Sequence, residues 1–175
     1  PDLNYTILAG PNICSFEAMS ENREFIKTVE KEVIEKTREY VYGEGEDTLE
    51  SVVGKILRSK KLTLSTAESC TGGLLGSTIT DVPGSSDYYL GGVNAYSNEI
   101  KIKILNVKKD TIKKYGAVSK EAVTEMALNV KKIFNTDCSI AISGIAGSSG
   151  GRGALGTRSP ARWRSTSLRR TLRTR

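Results

Sequence analysis

The 175-residue sequence contains no histidine. This absence excludes Ser-His and Cys-His catalysis, and it removes the commonest metal ligand. Acid–base chemistry in this chain must therefore come from Lys, Tyr, Asp or Glu side chains. The three cysteines, Cys14, Cys70 and Cys138, are odd in number and form no C-x-x-C pair, so we expect reduced thiols instead of a disulfide framework or a zinc site. The sequence predicts neither a bound metal nor a cofactor.

Long apolar runs and a secretory leader are also missing. No apolar run approaches the ~20 residues that a membrane span requires. The first residues, Pro1-Asp2-Leu3-Asn4, have neither a basic segment nor an apolar one, and no initiator Met, so we expect a piece of a longer chain without a secretory signal. The hydrophobic content of 38% is typical of a soluble globular protein. We therefore expect a cytoplasmic protein with no membrane partner.

The net charge of +6 is concentrated at one end of the chain. Residues 151–175 contain eight Arg and no acidic residue, whereas residues 1–150 carry 18 basic and 20 acidic residues. One interpretation is an Arg-rich arm that binds RNA phosphates. The abrupt change from Lys and Ile to Arg, Ser and Thr favours the other, an atypical and disordered tail over residues 152–175. We therefore do not expect nucleic acid as a partner.

Upstream of the tail, the apolar pattern predicts a small α+β connector over residues 1–46. Residues 3–9 are typical of a short strand, which Gly10-Pro11 ends. Ser20 is predicted to cap a helix that runs to about Val41. The stretch Gly43-Glu44-Gly45-Glu46 is interpreted as a linker. The apolar face of the predicted helix consists of Phe25, Ile26, Val29, Val33 and Ile34.

Residues 47–151 are predicted to form a second domain of alternating strands and helices. Asp47 and Glu50 indicate the start of its first helix. Strands separated by helices favour right-handed crossovers and a mostly parallel sheet covered on both faces. The predicted fold class is therefore α/β, a layered α/β/α sandwich preceded by the small connector. Strands are expected over residues 62–67, 88–95 and 138–142, and helices over 72–80, from about 98, over 109–114 and after Ser119.

The segment Ser65-Thr66-Ala67-Glu68-Ser69-Cys70-Thr71-Gly72-Gly73 lies where a predicted strand meets a predicted helix. Its small residues let backbone N–H groups approach a ligand, and a helix N-terminus favours negative charge. Such a turn suits a phosphate or the oxyanion of an acyl-transfer intermediate, and a hydroxyl or thiol there is a candidate nucleophile. The same pattern is equally typical of an ordinary capped turn between a strand and a helix.

A second segment, Gly91-Gly92-Val93-Asn94-Ala95-Tyr96-Ser97-Asn98-Glu99-Ile100-Lys101, ends a predicted strand and starts a helix. Tyr96 and Lys101 can converge at the end of the sheet, where ligands bind in open α/β folds. Because the chain has no His, a lysine of lowered pKa is the candidate base for activating a serine. Taken alone, Lys101 is also interpreted as an ordinary solvated lysine beside Lys103, Lys108 and Lys109.

Five motifs follow one another in the order A-E-S-C-T-G-G, D-V-P-G-S-S, A-Y-S-N-E-x-K, G-A-V-S and S-G-I-A-G. Together they closely resemble the CinA C-terminal domain over residues 62–151. Residues 1–60 resemble the connector that precedes this domain in longer CinA proteins. The family comprises nicotinamide mononucleotide deamidases, so the resemblance implies hydrolysis of this small-molecule substrate to nicotinate mononucleotide and ammonia. It also implies self-association into a homo-oligomer.

The resemblance also implies roles for individual residues. Ser69 would be the nucleophile, Lys101 its base, and Tyr96 a supporting hydrogen-bonding or proton-transfer group. Cys70 is the rival nucleophile because a thiolate is intrinsically more reactive. However, adjacent residues point in different directions, and no His is present to pair with the thiol. The oxyanion or substrate loop would contain Thr71, Gly72 and Gly73, and the nucleotide pocket Gly84, Ser85, Ser86, Asn98, Ser143, Gly144 and Gly147.

The sequence departs from the family after the glycine-rich loop. Family members continue with a segment like K-P-V-G-T-V, a further strand and a last helix. Here Ala154-Leu155-Gly156-Thr157 leads into Arg158-Ser159-Pro160. Pro160 and the arginines that follow disfavour a central strand. The alternative to an active deamidase is therefore a truncated nucleotide-binding module without activity.

Overall fold

The computed structural model describes residues 2–10, 13–145 and 163–169. The chain divides into two compact units, Pro1–Gly45 and Glu46–Arg175. Among the helices of the described ranges, none combines the length and the hydropathy that a membrane span requires.

The first unit consists of a β-hairpin and one helix. Strands β1 (Asn4–Gly10) and β2 (Ile13–Met19) pair antiparallel, and α1 (Arg23–Thr37) follows. The second strand was not predicted. The helix begins after Asn22, whose Oδ1 accepts hydrogen bonds from two backbone N–H groups of the first turn. The predicted cap at Ser20 is wrong because the Ser20 hydroxyl accepts from the N–H of Asn22 and forms the turn before the cap.

The second unit alternates helices and strands, as predicted. Its first helix is capped by Thr48, which forms a capping box with Ser51, one residue later than the predicted cap at Asp47. The predicted cap at Ser119 is confirmed, since its Oγ accepts from the N–H of Ala122. The elements are α2 (Leu49–Ser59), β3 (Leu64–Glu68), α3 (Leu74–Thr80), a short 3₁₀ helix (Ser85–Asp87), β4 (Tyr89–Asn94), α4 (Asn98–Lys103), α5 (Lys109–Tyr115), α6 (Lys120–Phe134), β5 (Cys138–Gly144) and β6 (Trp163–Arg169).

The four strands of this unit form one sheet in the order β4-β3-β5-β6. Strand β3 pairs parallel with both β4 and β5, so the carboxyl ends of these three strands lie at one edge of the sheet. Opposite Glu68 at the end of β3 lie Asn94 of β4 and Ile142 of β5. The prediction of a mostly parallel sheet is confirmed.

Two apolar clusters show that both faces of the sheet are covered. On one face, Ala67 and Ala141 of the sheet join apolar residues of α6, including Met126 and Val130. On the other, Leu64 packs with Leu57 of α2, Ile79 of α3 and Tyr88. Since each element buries one apolar face against the sheet, the result is the α/β/α sandwich that the sequence predicted.

Strand β6 requires a correction to the predicted tail. We predicted disorder for residues 152–175, but residues 163–169 pair antiparallel with β5, from Cys138 opposite Arg169 to Gly144 opposite Trp163. An edge strand such as β5 presents a row of unpaired backbone N–H and C=O groups, which another segment satisfies through its main chain. Composition gave no signal for this pairing. The rest of the tail lies outside the described residues.

Gly54 of α2 provides a test of packing on the α2–α3 face. A Cβ at this position would lie 2.6 Å from Oη of Tyr88, whose side chain is almost completely buried. We expect Gly54→Ala to lower the free energy of unfolding by about 1–3 kcal/mol, because overpacking exceeds the gain in helix propensity. Urea unfolding measures this change, with the exposed Lys132→Ala as control, expected within about 0.5 kcal/mol of wild type. Equal stability of Gly54→Ala and wild type would contradict the packing.

Candidate functional site

Ser69 lies at the carboxyl edge of the sheet, directly after β3. Its backbone N–H donates to the carbonyl of Ile142 in β5 (3.1 Å), so the ladder continues one step past the last residue of the strand. The Ser69 side chain is 5% exposed. A hydroxyl at this edge lies where open α/β sheets bind their ligands.

Helix α4 brings Lys101 to Ser69. Ser97 caps this helix, since its Oγ accepts from the N–H of Ile100 (3.2 Å) and its carbonyl accepts from the N–H of Lys101 (3.1 Å). The Lys101 side chain is 2% exposed and therefore points inward from its short helix. The interpretation of Lys101 as an ordinary solvated lysine is wrong.

Three acceptors surround the Lys101 amino group. Its Nζ lies 2.9 Å from Ser69 Oγ, 2.9 Å from the carbonyl oxygen of Ala95 and 3.1 Å from that of Tyr96. A lysine ammonium has three N–H donors, so these bonds use all of them. In the neutral amine, the two N–H groups donate to the carbonyls of Ala95 and Tyr96. The nitrogen lone pair then faces Ser69 Oγ. The arrangement can accept the proton of the Ser69 hydroxyl.

Burial favours the neutral form of this amine. Loss of solvent lowers the pKa of Lys101, and a smaller influence from the neighbouring Cys70 thiol opposes the shift. Within the described ranges, no carboxylate forms an ion pair with Lys101. A buried lysine without such a counter-ion is therefore available as a base at a lower pH than a lysine on the surface.

Cys70, the rival nucleophile, lies in a less activated environment. Its side chain is only partly buried, and loss of solvent raises the pKa of its thiol, although the backbone N–H groups of Cys70 and Thr71 and the charge of Lys101 oppose this shift. The three hydrogen bonds of Lys101 go to Ser69 and the two carbonyls. The hydroxyl of Ser69, not the thiol of Cys70, therefore faces the base.

Thr71, Gly72 and Gly73 form the turn between β3 and α3. Gly72 has φ 64° and Gly73 has φ 102°, both in the left-handed region that favours glycine. A Cβ on either residue would meet no close neighbour, so the backbone conformation and not space demands glycine here. Oγ1 of Thr71 is buried and has no hydrogen-bond partner among the described residues. The predicted substrate loop thus lies directly beside Ser69.

Ser143, Gly144 and Asn98 also lie at the carboxyl edge. Ser143 and Gly144 end β5, just beyond the residue that faces Glu68 across the ladder. The Ser143 hydroxyl is fully buried and donates to the carbonyl of Ala117 (2.9 Å), which fixes the segment before α6. Asn98 is exposed at the first position of α4. Gly147 lies outside the described residues.

Gly84, Ser85 and Ser86 require a correction, because the structure places them at the opposite edge of the sheet. They precede β4, and the backbone N–H of Leu64, at the start of β3, donates to the carbonyl of Tyr88. Over the five residues of β3, a rise of about 3.3 Å per residue separates the two edges by roughly 15 Å. These residues do not line a pocket with Ser69 in the same chain. Gly84 instead packs against the Arg58 side chain.

Tyr96 contributes its main chain to the site. Its carbonyl accepts a hydrogen bond from Lys101, whereas its side chain is 68% exposed. The predicted role of the phenol in hydrogen bonding or proton transfer stays a prediction. No residue pattern indicates the carbonyl of Ala95 as an acceptor, since every residue carries a carbonyl group and only the fold decides which ones meet a lysine.

No role was predicted for Glu68, which directly precedes Ser69 in the chain. Its side chain is 3% exposed and accepts from the backbone N–H groups of Leu75 (2.9 Å) and Gly76 (2.8 Å) in the first turn of α3.

Within the described ranges, no group of three or more Cys, Asp or Glu residues is placed to hold a metal ion.

Comparison with known proteins matches the site-bearing unit to one family. Residues 46–157 match the CinA C-terminal domain. The chain belongs to this family. A CinA-like protein of Thermotoga neapolitana is 52% identical over 132 residues, which cover 75% of this chain and 32% of that protein. A CinA-like protein of Kosmotoga olearia is 47% identical over 146 residues, 81% of this chain and 35% of that protein. The chain therefore spans about a third of the length of these curated CinA relatives.

Solved structures of CinA superfamily proteins share the fold. A CinA superfamily protein from Escherichia coli superposes with a TM-score of 0.59 at 27% identity, covering 77% of this chain and 86% of that one. A competence or damage-inducible protein from Enterobacter asburiae gives a TM-score of 0.57 at 33% identity, covering 69% and 84%. The predicted resemblance to the CinA C-terminal domain is confirmed.

Proposed function

We propose that this chain is a serine amidohydrolase that converts nicotinamide mononucleotide to nicotinate mononucleotide and ammonia. The observation that carries the proposal is the 2.9 Å hydrogen bond between the buried Lys101 amine and the Ser69 hydroxyl. A base in contact with a hydroxyl is an arrangement that activates a serine for acyl transfer. The choice of substrate rests on the resemblance to the CinA C-terminal domain.

The first half of the reaction forms an ester between the substrate and Ser69. Neutral Lys101 takes the proton of the Ser69 hydroxyl as Oγ adds to the carboxamide carbon. The developing oxyanion needs N–H donors, and the glycine-containing turn over residues 70–73 is the candidate source. Lys101 then gives its proton to the amide nitrogen, the C–N bond breaks, and ammonia leaves.

The second half repeats the proton transfers with water. Lys101 takes a proton from water as the hydroxide oxygen adds to the ester carbon. The bond to Ser69 Oγ breaks, Oγ recovers a proton from Lys101, and the nicotinate carboxylate is released. The sum is one amide and one water converted to one carboxylate and one ammonium ion. Lys101 serves as base and acid in alternation, as histidine does in other serine hydrolases.

Ammonia release from nicotinamide mononucleotide, measured without added metal, tests this proposal. We expect one ammonia for each nicotinate mononucleotide formed. Free nicotinamide is the matched control, since it carries the same carboxamide without the ribose phosphate, and we expect slower turnover because remote binding energy is lost. A chain whose melting temperature rises with nicotinamide mononucleotide but which releases no ammonia would contradict the enzyme proposal. That result would support the inactive nucleotide-binding module.

A further inference from the structure

We infer that Glu68 is a positioning residue, whose carboxylate holds the turn that presents Ser69 to Lys101. The inference deepens the proposed function and rests on it for the role of Ser69. Glu68 is adjacent to the nucleophile in sequence, but its side chain has a different environment. Its two oxygens accept from Leu75 and Gly76, so the carboxylate faces α3.

The alternating directions of the β3 side chains separate the Glu68 carboxylate from the Ser69 hydroxyl. Ala67 packs in the core cluster with residues of α6, whereas Thr66 bonds the hydroxyl of Tyr89 on the other face. Glu68 shares the face of Thr66, because successive side chains of a strand point to opposite sides. The carboxylate therefore acts on Ser69 through the backbone of the turn.

Helix α3 needs the acceptors that Glu68 supplies. The N-cap residue of α3 is Gly73, which has no side chain to accept from the first turn. Glu68 satisfies two of these N–H groups from the preceding strand, and the backbone N–H of Leu74 donates to Thr71. A charged acceptor at a helix N-terminus is also favoured by the helix dipole. The side chain thus closes residues 69–74 into a loop.

This closure matters because the loop contains two adjacent glycines. Gly72 and Gly73 would otherwise sample many conformations and carry Ser69 with them. The main chain of Glu68 secures the other half of the site, since its carbonyl accepts from the N–H of Ala95 (2.7 Å) and the Ala95 carbonyl accepts from Lys101. Nucleophile and base are therefore both anchored at one residue. A displacement of about 1 Å between such groups can cost about 100-fold in rate.

The test is the rate at which an alkyl fluorophosphonate labels Ser69, because this probe reports an activated serine without any assumption about the substrate. Ser69 Oγ adds to phosphorus, fluoride leaves, and the proton goes to Lys101. We expect Glu68→Gln to lower the labelling rate at least tenfold, since the amide keeps one acceptor but places an N–H₂ group against the second N–H donor. The matched control is Glu99→Gln, whose carboxylate pairs with Lys103 on the surface, and we expect its labelling rate to be unchanged.

The pH profile separates positioning from an effect of the Glu68 charge on the protonation of Lys101. Because Glu68 acts by geometry, the variant should show a lower plateau of labelling with the same pH midpoint as wild type. A wild-type plateau in Glu68→Gln, or a shifted midpoint with the plateau retained, would overturn the inference. Wild type that is labelled at Ser69 but releases no ammonia from nicotinamide mononucleotide would reject the proposed substrate and leave the Glu68 test intact.

If Glu68→Gln does not melt cooperatively, the variant is not folded and its labelling rate is uninformative. Amide hydrogen exchange in the wild-type chain then tests the inference. The amides of Leu75 and Gly76 should exchange as slowly as that of Ile79 inside α3, because the carboxylate accepts from both. Exchange at the rate of an unprotected first turn would overturn the proposal.

Discussion

Ser69→Ala is expected to lower the rate of ammonia release from nicotinamide mononucleotide by at least about 10⁴-fold, to the background of the assay. The substitution removes the only atom of residue 69 that can bond the substrate carbonyl, and it leaves Lys101 without its hydroxyl partner. Folding should be retained, since a small side chain replaces another one at the end of β3. The measurement is the initial rate of ammonia release, with thermal melting of the same samples.

Cys70→Ala is the matched control, because it deletes one heavy atom from the next residue of the same turn. We expect this variant to retain most of the activity. Burial raises the pKa of the Cys70 thiol, and the three N–H donors of Lys101 are directed elsewhere. The reverse pattern, an active Ser69→Ala and an inactive Cys70→Ala, would assign the nucleophile to the thiol and reject the serine mechanism.

The sequence predicted the alternating part of the fold because its signals are local. Alternating strands and helices left few arrangements once right-handed crossovers and a buried sheet were assumed. The N-cap at Ser119 was predicted because capping depends on residues within one turn. The hairpin partner β2 and the edge strand β6 were missed because backbone pairing leaves a weak imprint on side-chain pattern.

The candidate site was predictable to the extent that parallel strands bring their carboxyl ends together. Ser69 follows β3, Ser143 and Gly144 end β5, and Lys101 follows β4, so all of them meet at one edge. Gly84, Ser85 and Ser86 do not join this edge within the chain, because they precede their strand instead of following it, and their role in a nucleotide pocket stays a prediction. In a parallel sheet, residues that follow a strand lie at the carboxyl edge, and residues that precede a strand lie at the opposite edge.

The supporting contacts of the site could not have been predicted. The carbonyls of Ala95 and Tyr96 are invisible in a sequence, and the contacts of Glu68 with Leu75 and Gly76 depend on how the turn folds back on α3. Composition did supply one constraint that the geometry satisfies. A chain without histidine needs another base, and the lysine buried next to Ser69 is the residue placed to act as one.

Lys101→Met is expected to lower the rate of ammonia release by about 10³-fold, which is within the range attributed to a positioned general base. Methionine fills a similar volume but cannot accept a proton. Lys101→Arg is the complementary variant, because its guanidinium keeps the positive charge and cannot be deprotonated in the working range. Near-wild-type activity in Lys101→Arg would show that a positive charge, and not a base, is what the reaction requires.

The prediction that Lys101 is the base has a second test, which is the pH dependence of the wild-type rate and of the free energy of unfolding. Because burial lowers the pKa of Lys101 and the neutral amine is the base, activity should rise with pH through a value below the ordinary lysine value of 10.5. The unfolded chain binds this proton more tightly than the folded one, so the free energy of unfolding should also rise with pH between the folded and unfolded pKa values. Lys101→Met should lose this component of the pH dependence, whereas a wild-type rate that falls with rising pH across that window would contradict a neutral lysine base.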